Sequence, residues 1–191
     1  MALSLVTAAA LEPISLAEAK AYCRIDVDDE NDLVDGLIRA GREWIEAFTH
    51  RALMTQTWDE KRSQFPSDVD VIVLPLAPLI SVTSITYLDT AGATQTWSSA
   101  LYTVDAPAGP HARPGWVYPI YGGIFPATQA IEHAVTIRFV AGYGATAVTV
   151  PPVIRACLKE YVRLGYARGS DGKALQDLAR IEADLWASKA F

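Results

Sequence analysis

The chain has 191 residues, 51% hydrophobic and 20% charged, and its 16 Lys and Arg against 22 Asp and Glu give a net charge of −6. That length fits one domain, or one domain with a sizeable insertion, and the apolar content excludes a disordered chain. The acidic balance argues against a protein whose main task is gripping nucleic-acid phosphates, because such binding scales with the number of cationic contacts.

The opening Leu3-Ser4-Leu5-Val6-Thr7-Ala8-Ala9-Ala10-Leu11 imitates a signal peptide, but no Lys or Arg precedes Lys20 and the apolar run is short. No uninterrupted run approaches the ~20 apolar residues of a spanning helix. A product made in the cytoplasm, with no membrane partner, is expected. Charge then divides the chain: residues 1–65 carry a net −5, residues 66–150 a net −3 and residues 151–191 a net +2. The middle stretch is rich in Thr, Val, Pro and Gly, the composition of strands and turns, while both flanks read as helix.

Ser15-Leu16-Ala17-Glu18 has the spacing of a capping box, which predicts a helix over 15–24. A second helix is expected over 28–49, its start favoured by Asp28 and Asp29 at the positive end of the helix dipole. Leu33, Leu37, Ala40, Trp44 and Phe48 recur at the spacing of one buried face, with Asp35, Arg39, Arg42, Glu43 and Glu46 on the other. Alternation predicts strands at 57–61, 69–74, 82–88, 94–97, 102–104 and 135–141, with a hairpin turn at Asp89-Thr90-Ala91-Gly92. Residues 105–132 hold five prolines and four glycines, and so long an irregular segment reads as a contact loop. Pro151-Pro152 opens a helix over 153–166, Gly169 to Gly172 breaks it, and a last helix over 173–187 follows.

The fold class expected is α+β, a helical bundle of N- and C-terminal helices with an inserted antiparallel β module. Residues 1–50 form the N-terminal helical part, 51–150 the β-rich insertion, and 151–191 a C-terminal helical part packing on the N-terminal helices, whose apolar faces need a partner.

Chemistry-bearing patterns are few. The acidic run from Asp26 to Asp32 starts like a calcium loop, but Asn31 stands where the loop needs Gly and Leu37 where it needs Glu, so it reads as a solvated helix start. Gly172-Lys173 lacks both the first glycine and the Ser or Thr of a Walker A loop. Cys23 and Cys157 form no metal or redox pair, and His50, His111 and His133 have no acid or thiol at a recognisable catalytic spacing. No catalytic residue, metal or cofactor is expected. Arg155, Lys159 and Arg163 fall at i, i+4 and i+8, one basic ridge on a helix. It is either a solvated face paired with the acidic first helices or a surface turned to an acidic partner or to passing DNA.

The order of several segments resembles a known family. Glu12-Pro13-Ile14-Ser15-Leu16-Ala17-Glu18-Ala19-Lys20, then Thr49-His50-Arg51-Ala52-Leu53-Met54-Thr55-Gln56-Thr57-Trp58, Leu74-Pro75-Leu76-Ala77-Pro78-Leu79-Ile80-Ser81-Val82, Trp116-Val117-Tyr118-Pro119, and Val135-Thr136-Ile137-Arg138-Phe139-Val140-Ala141-Gly142-Tyr143-Gly144 before Val150-Pro151-Pro152 are similar to the head-tail connector (adaptor, or head-completion) proteins of tailed phages and gene transfer agents. The Pro/Gly-rich stretch from Pro107 to Pro126 and the segment before Glu12 depart from the family's pattern. The resemblance implies a structural virion protein at the neck: a homo-oligomeric, commonly dodecameric ring beneath the portal, continuing the DNA channel to a stopper or tail protein, with DNA only as non-specific cargo. It also implies that the C-terminal part reaches the portal, with Leu185, Trp186 and Phe191 as apolar anchors. Another neck or tail component, such as a stopper or tail terminator, or a small hydrolase, are the alternatives.

Overall fold

The computed structural model describes residues 1–67 and 71–167, which divide into two compact units. One comprises Met1–Ala8 and Thr55–Gly142; the other comprises Ala9–Met54 and the described residues from Tyr143 onward. The chain is mixed α+β, as its composition implied.

The first unit is built of strands β1 (Ala2–Thr7), β2 (Gln56–Arg62), β3 (Ile72–Val73), β4 (Leu79–Leu88), β5 (Thr94–Thr96), β6 (Tyr102–Asp105), β7 (Trp116–Pro119) and β8 (Val135–Ala141). They form a five-stranded antiparallel sheet in the order β1-β2-β8-β4-β5 and a three-stranded sheet in the order β3-β7-β6. β8 is central, and its alternation decides the sheet: Val135, Ile137, Phe139 and Ala141 are buried, while Arg138 between them is exposed. One row of the sheet runs Leu3, Glu60, Ile137, Ile85 through the strand register. It ends at Trp97, whose N–H donates to the Ile85 carbonyl at 2.8 Å.

Aromatic rings tie the two sheets together at that end. Phe65 meets Trp97 edge-on at 5.4 Å and stacks on Phe125 at 5.4 Å, and Trp97 lies 4.9 Å from Tyr102 of β6. A second tie is the approach of Gly115 to β4, where a Cβ would lie 2.1 Å from Leu79 Cδ2 and 2.5 Å from Leu79 Cβ. The Leu79 Cβ cannot swing aside, so Gly115→Ala should cost about 1–3 kcal/mol by overpacking. Urea denaturation checks this, and an unchanged midpoint would show that the two backbones part easily.

Two parts of this unit differ from expectation. Ala2–Thr7 is strand, although the first fifty residues read as helical. Its Leu3 and Leu5 alternate with Ala2 and Ser4, and it pairs with β2 some 55 positions away (Ser4 with Asp59), beyond the reach of local propensity. The Pro/Gly-rich segment contains β7, whose fully buried Val117 pairs with both Ile72 and Val104. The strand expected at 69–74 is confined to Ile72–Val73, with residues 68–70 outside those described.

The second unit holds helices α1 (Leu16–Cys23), α2 (Asn31–Thr49) and α3 (Pro152–Tyr166). The capping box at α1 is formed: Ser15 Oγ accepts from the Glu18 N–H at 3.1 Å, and Glu18 Oε2 accepts from the Ser15 N–H at 3.0 Å. The acidic run before α2 is tied down by its neighbours, Asp28 Oδ1 accepting from Lys20 Nζ at 2.7 Å, and the helix itself begins at Asn31. α3 starts at Pro152, in the first turn, where a missing N–H costs nothing.

The buried face of α2 lies one residue on from the face expected. Val34, Ile38, Gly41 and Ile45 are buried, whereas Leu33 is exposed and Trp44 is half-buried, stacked on Phe48 and Tyr161. Two adjacent apolar stripes run along α2, and the one containing Gly41 wins because it lets a helix come closest. A Cβ at Gly41 would lie 2.6 Å from Leu158 Cδ1 and 2.8 Å from Tyr161 Cδ1 of α3. Ile154, Leu158 and Val162 of α3, with Ile14 and Ala19, complete this core.

Candidate assembly interface

The segments that carry the family resemblance turn out to be structural joints. Ile14 and Ala19 are core residues. Arg42 Nε donates to Glu12 Oε2 and its Nη1 to Glu46 Oε2, both at 2.8 Å, while Glu46 Oε1 accepts from the Leu53 N–H at 2.8 Å. The buried Arg51 donates from Nη1 to the Tyr143 hydroxyl at 3.0 Å, and burial pushes that phenol's pKa up. These side chains are used to join the pieces of the helical unit.

The basic ridge is on one face of α3, and each member has an acidic neighbour within the unit. Arg155 donates to the Pro13 carbonyl and to Glu18, Lys159 Nζ lies 3.6 Å from Glu18 Oε1, and Arg163 pairs with Glu160. Glu18 is held below the usual carboxylate range by the Ser15 N–H, with Arg155 and Lys159 adding to this. Leu185, Trp186 and Phe191 lie outside the described residues. Among the described residues no three His, Cys, Asp or Glu side chains converge on a metal-sized space, and no helix is long and apolar enough to cross a membrane.

What the β unit offers instead is uncovered apolar surface, and two places stand out in it. β1 is an edge strand with all six residues exposed, among them Leu3, Leu5 and Val6, and none charged. The second place is the loop after β7, in the three-stranded sheet. The Ile120 N–H donates to the Leu101 carbonyl at 3.1 Å, and the Gly123 N–H closes a turn on the Ile120 carbonyl at 2.8 Å, with Gly122 at φ +75°. Glycine at the third position is what such a turn requires. It leaves Tyr121 fully exposed at the tip, beside Leu101, Ile120 and Ile124, the last 85% exposed. This tip is fastened by Phe125, which stacks on Phe65 and lies 5.4 Å from Trp97. Exposure at these positions is not encoded in composition; the signals that could have found them are the alternation of Leu3 and Leu5, which fits a strand, and the Tyr121-Gly122-Gly123 run, which fits a turn.

Beneath β1 sits an unusual carboxylate. Glu60 of β2, opposite Leu3, is fully buried; its Oε1 accepts from Arg62 Nε at 2.8 Å and its Oε2 has no partner among the described residues. Burial pushes its pKa up, against the opposing pull of Arg62. On the other face Asp59 takes a two-pronged bond from Arg138, at 2.8 Å for each prong, which holds its carboxyl low. A carboxyl raised on folding favours the native state below its unfolded pKa, near 4.5, and loses that contribution as pH rises through its folded value. Glu60→Gln, which cannot ionise, should therefore gain stability relative to the native chain as pH rises from about 4.5. Parallel urea midpoints above that pH would show that Glu60 does not titrate abnormally.

Comparison with known proteins follows the same lines. Residues 13–79 match the model of the family described as phage gp6-like head-tail connector protein, which bears out the resemblance seen in the sequence. Over nearly its whole length the chain shares the fold of chains in gene transfer agent (GTA) particles. One, from the neck of an empty GTA particle computed with C6 symmetry, superposes with a TM-score of 0.75 at 22% identity, covering 95% of both chains. A second, from the virion of the native GTA particle, gives 0.78 at 21%, covering 95% of this chain and 94% of that one. A third, from the neck of a native GTA particle computed with C12 symmetry, gives 0.71 at 22%, with coverage of 95% and 94%. At these identities the likeness establishes the fold. No curated protein matches the sequence.

Proposed function

We propose, from the connector match over residues 13–79, that this chain is a structural subunit of the virion neck. In this reading it forms an adaptor ring beneath the portal, joins the DNA-filled head to the stopper or tail, and continues the DNA channel. The observation that carries the proposal is the fold shared over 95% of the chain with chains of GTA necks resolved under cyclic symmetry. A ring of about twelve copies is favoured by the C12 relative, and closed rings arise from head-to-tail contacts. The net charge of −6 suits a conduit, since an acidic wall repels phosphates and lets DNA slide. The ridge of Arg155, Lys159 and Arg163 is assigned here to internal pairing, because each has a carboxylate beside it.

Particles assembled without this chain should accumulate as DNA-filled heads that lack tails and leak their DNA. Complete, tailed particles would overturn the neck reading. The portal is proposed as the partner of Leu185, Trp186 and Phe191, aromatic side chains being enriched among interface anchors. A chain ending at residue 169 is then expected to fold and to fail to attach to DNA-filled heads, as read by co-sedimentation. Unfolding of the truncated chain would assign the segment to its own core, and normal attachment would end the portal assignment.

A further inference from the structure

Resting on the ring reading above, we propose that neighbouring copies meet through β1 of one copy and the Leu101, Ile120, Tyr121 and Ile124 patch of the next. Exposed edge strands in native proteins are blunted by Lys, Pro or inward-pointing charges. β1 carries none of these; its one irregularity is the register shift between Leu5 and Thr7. An uncharged six-residue edge with three large exposed apolar side chains is an aggregation hazard unless something covers it.

The occupant is a second copy because the same unit carries a second uncovered apolar surface, distinct from the β1 edge. The row from Leu3 through Glu60, Ile137 and Ile85 to Trp97 spans the sheet from edge to edge. At about 4.8 Å per strand spacing, its ends are roughly 19 Å apart. Phe125, packed against Trp97 and Phe65, ties the Tyr121 tip to the far end. Two different surfaces of one chain that cover each other between copies define a head-to-tail contact, the kind that closes rings. A two-fold contact would set β1 against β1 and leave the tip bare.

The chemistry of the two faces agrees. Residues 2–7 and residues 114–131 contain no charged side chain, so their contact desolvates no charge, as the centres of protein interfaces require. Tyr121 sits on a turn closed by the Gly123 N–H, so its backbone is already ordered, and a Tyr side chain has only two torsions to fix on docking.

The test uses cysteines in a Cys23→Ser, Cys157→Ser background. Chains carrying Leu5→Cys are mixed with chains carrying Tyr121→Cys, assembled into rings or particle necks, and oxidised. Mixed disulfide pairs should exceed like-with-like pairs by about tenfold, and a chain bearing both substitutions should give a ladder of linked copies. Tyr121→Ser with Ile124→Ser, both at exposed positions, should lower ring yield about tenfold without moving the melting temperature. Rings that form at normal yield in that variant, or whose crosslinks are absent or like-with-like, would overturn this contact and leave the ring reading standing. A chain that stays monomeric at high concentration and is absent from particle necks would overturn both.

Discussion

Phe139→Ala should destabilise the β unit by about 3–5 kcal/mol, the loss expected for truncating a fully buried aromatic side chain. Phe139 is fully buried at the middle of β8, flanked in register by Trp58 of β2 and Val82 of β4. Strands on both sides prevent the sheet from collapsing into the space left behind, so the cavity cost adds to the lost transfer energy. For a unit of this size that loss should lower the melting temperature by more than about 10 °C. Val140→Ala, one position on and on the half-buried opposite face, is the control and should cost much less. Equal losses from the two would mean that the sheet does not have one buried face at β8.

Leu158→Ala should cost the helical unit about 2–5 kcal/mol, and its effect should depend on what stands across from it. Leu158 is fully buried and its Cδ1 occupies the place a Cβ at Gly41 would crowd, at 2.6 Å. Gly41→Ala alone gains about 1 kcal/mol of helix propensity but forces Leu158 and Tyr161 aside. In the Leu158→Ala background half of that conflict is gone, so the cost of Gly41→Ala should shrink or change sign. A double-mutant cycle by urea denaturation should show a coupling of about 0.5–3 kcal/mol, as for residues in contact. Strict additivity would mean that α2 and α3 do not touch at Gly41.

What could be read from the sequence was whatever is specified within a few residues. The α1 capping box, the proline at the start of α3 and the period-two alternation of β8 are local signals, and all three elements formed where expected. The buried face of α2 is not legible from spacing, because Leu33, Leu37, Ala40, Trp44 and Phe48 form one apolar stripe and Val34, Ile38, Gly41 and Ile45 a second beside it, one position on. Closeness of approach decided it, and that depended on Gly41 facing a helix more than a hundred residues away. β1 was missed for a similar reason: its partner strand is distant, and a small apolar run at a chain start resembles a targeting segment. The candidate interface was the least legible part. An exposed Tyr121 and a buried Tyr102 have the same residue type, and only the turn geometry and the packing of Phe125 separate them.

The two-unit layout also sets an order of events during synthesis. α2 emerges with Val34, Ile38 and Ile45 uncovered, and Leu158, which is to cover them, is made some 113 residues after Ile45. At about 5–20 residues per second the wait is on the order of ten seconds. The whole of 55–142 is made in that interval. When β2 and β8 pair, Gln56 comes to lie opposite Ala141, and just outside the sheet the Tyr143 N–H reaches the Leu53 carbonyl at 3.4 Å. The entropy of closing a loop of that length has by then been offset by the sheet, so α3 arrives as a near neighbour of α2. In the growing chain, pairing of β2 with β8 therefore brings the two sequence-distant segments of the helical unit, ending at Met54 and resuming at Tyr143, close together. Slowing β2–β8 pairing would lengthen the time for which the α2 face stays open to chaperones or to other nascent chains.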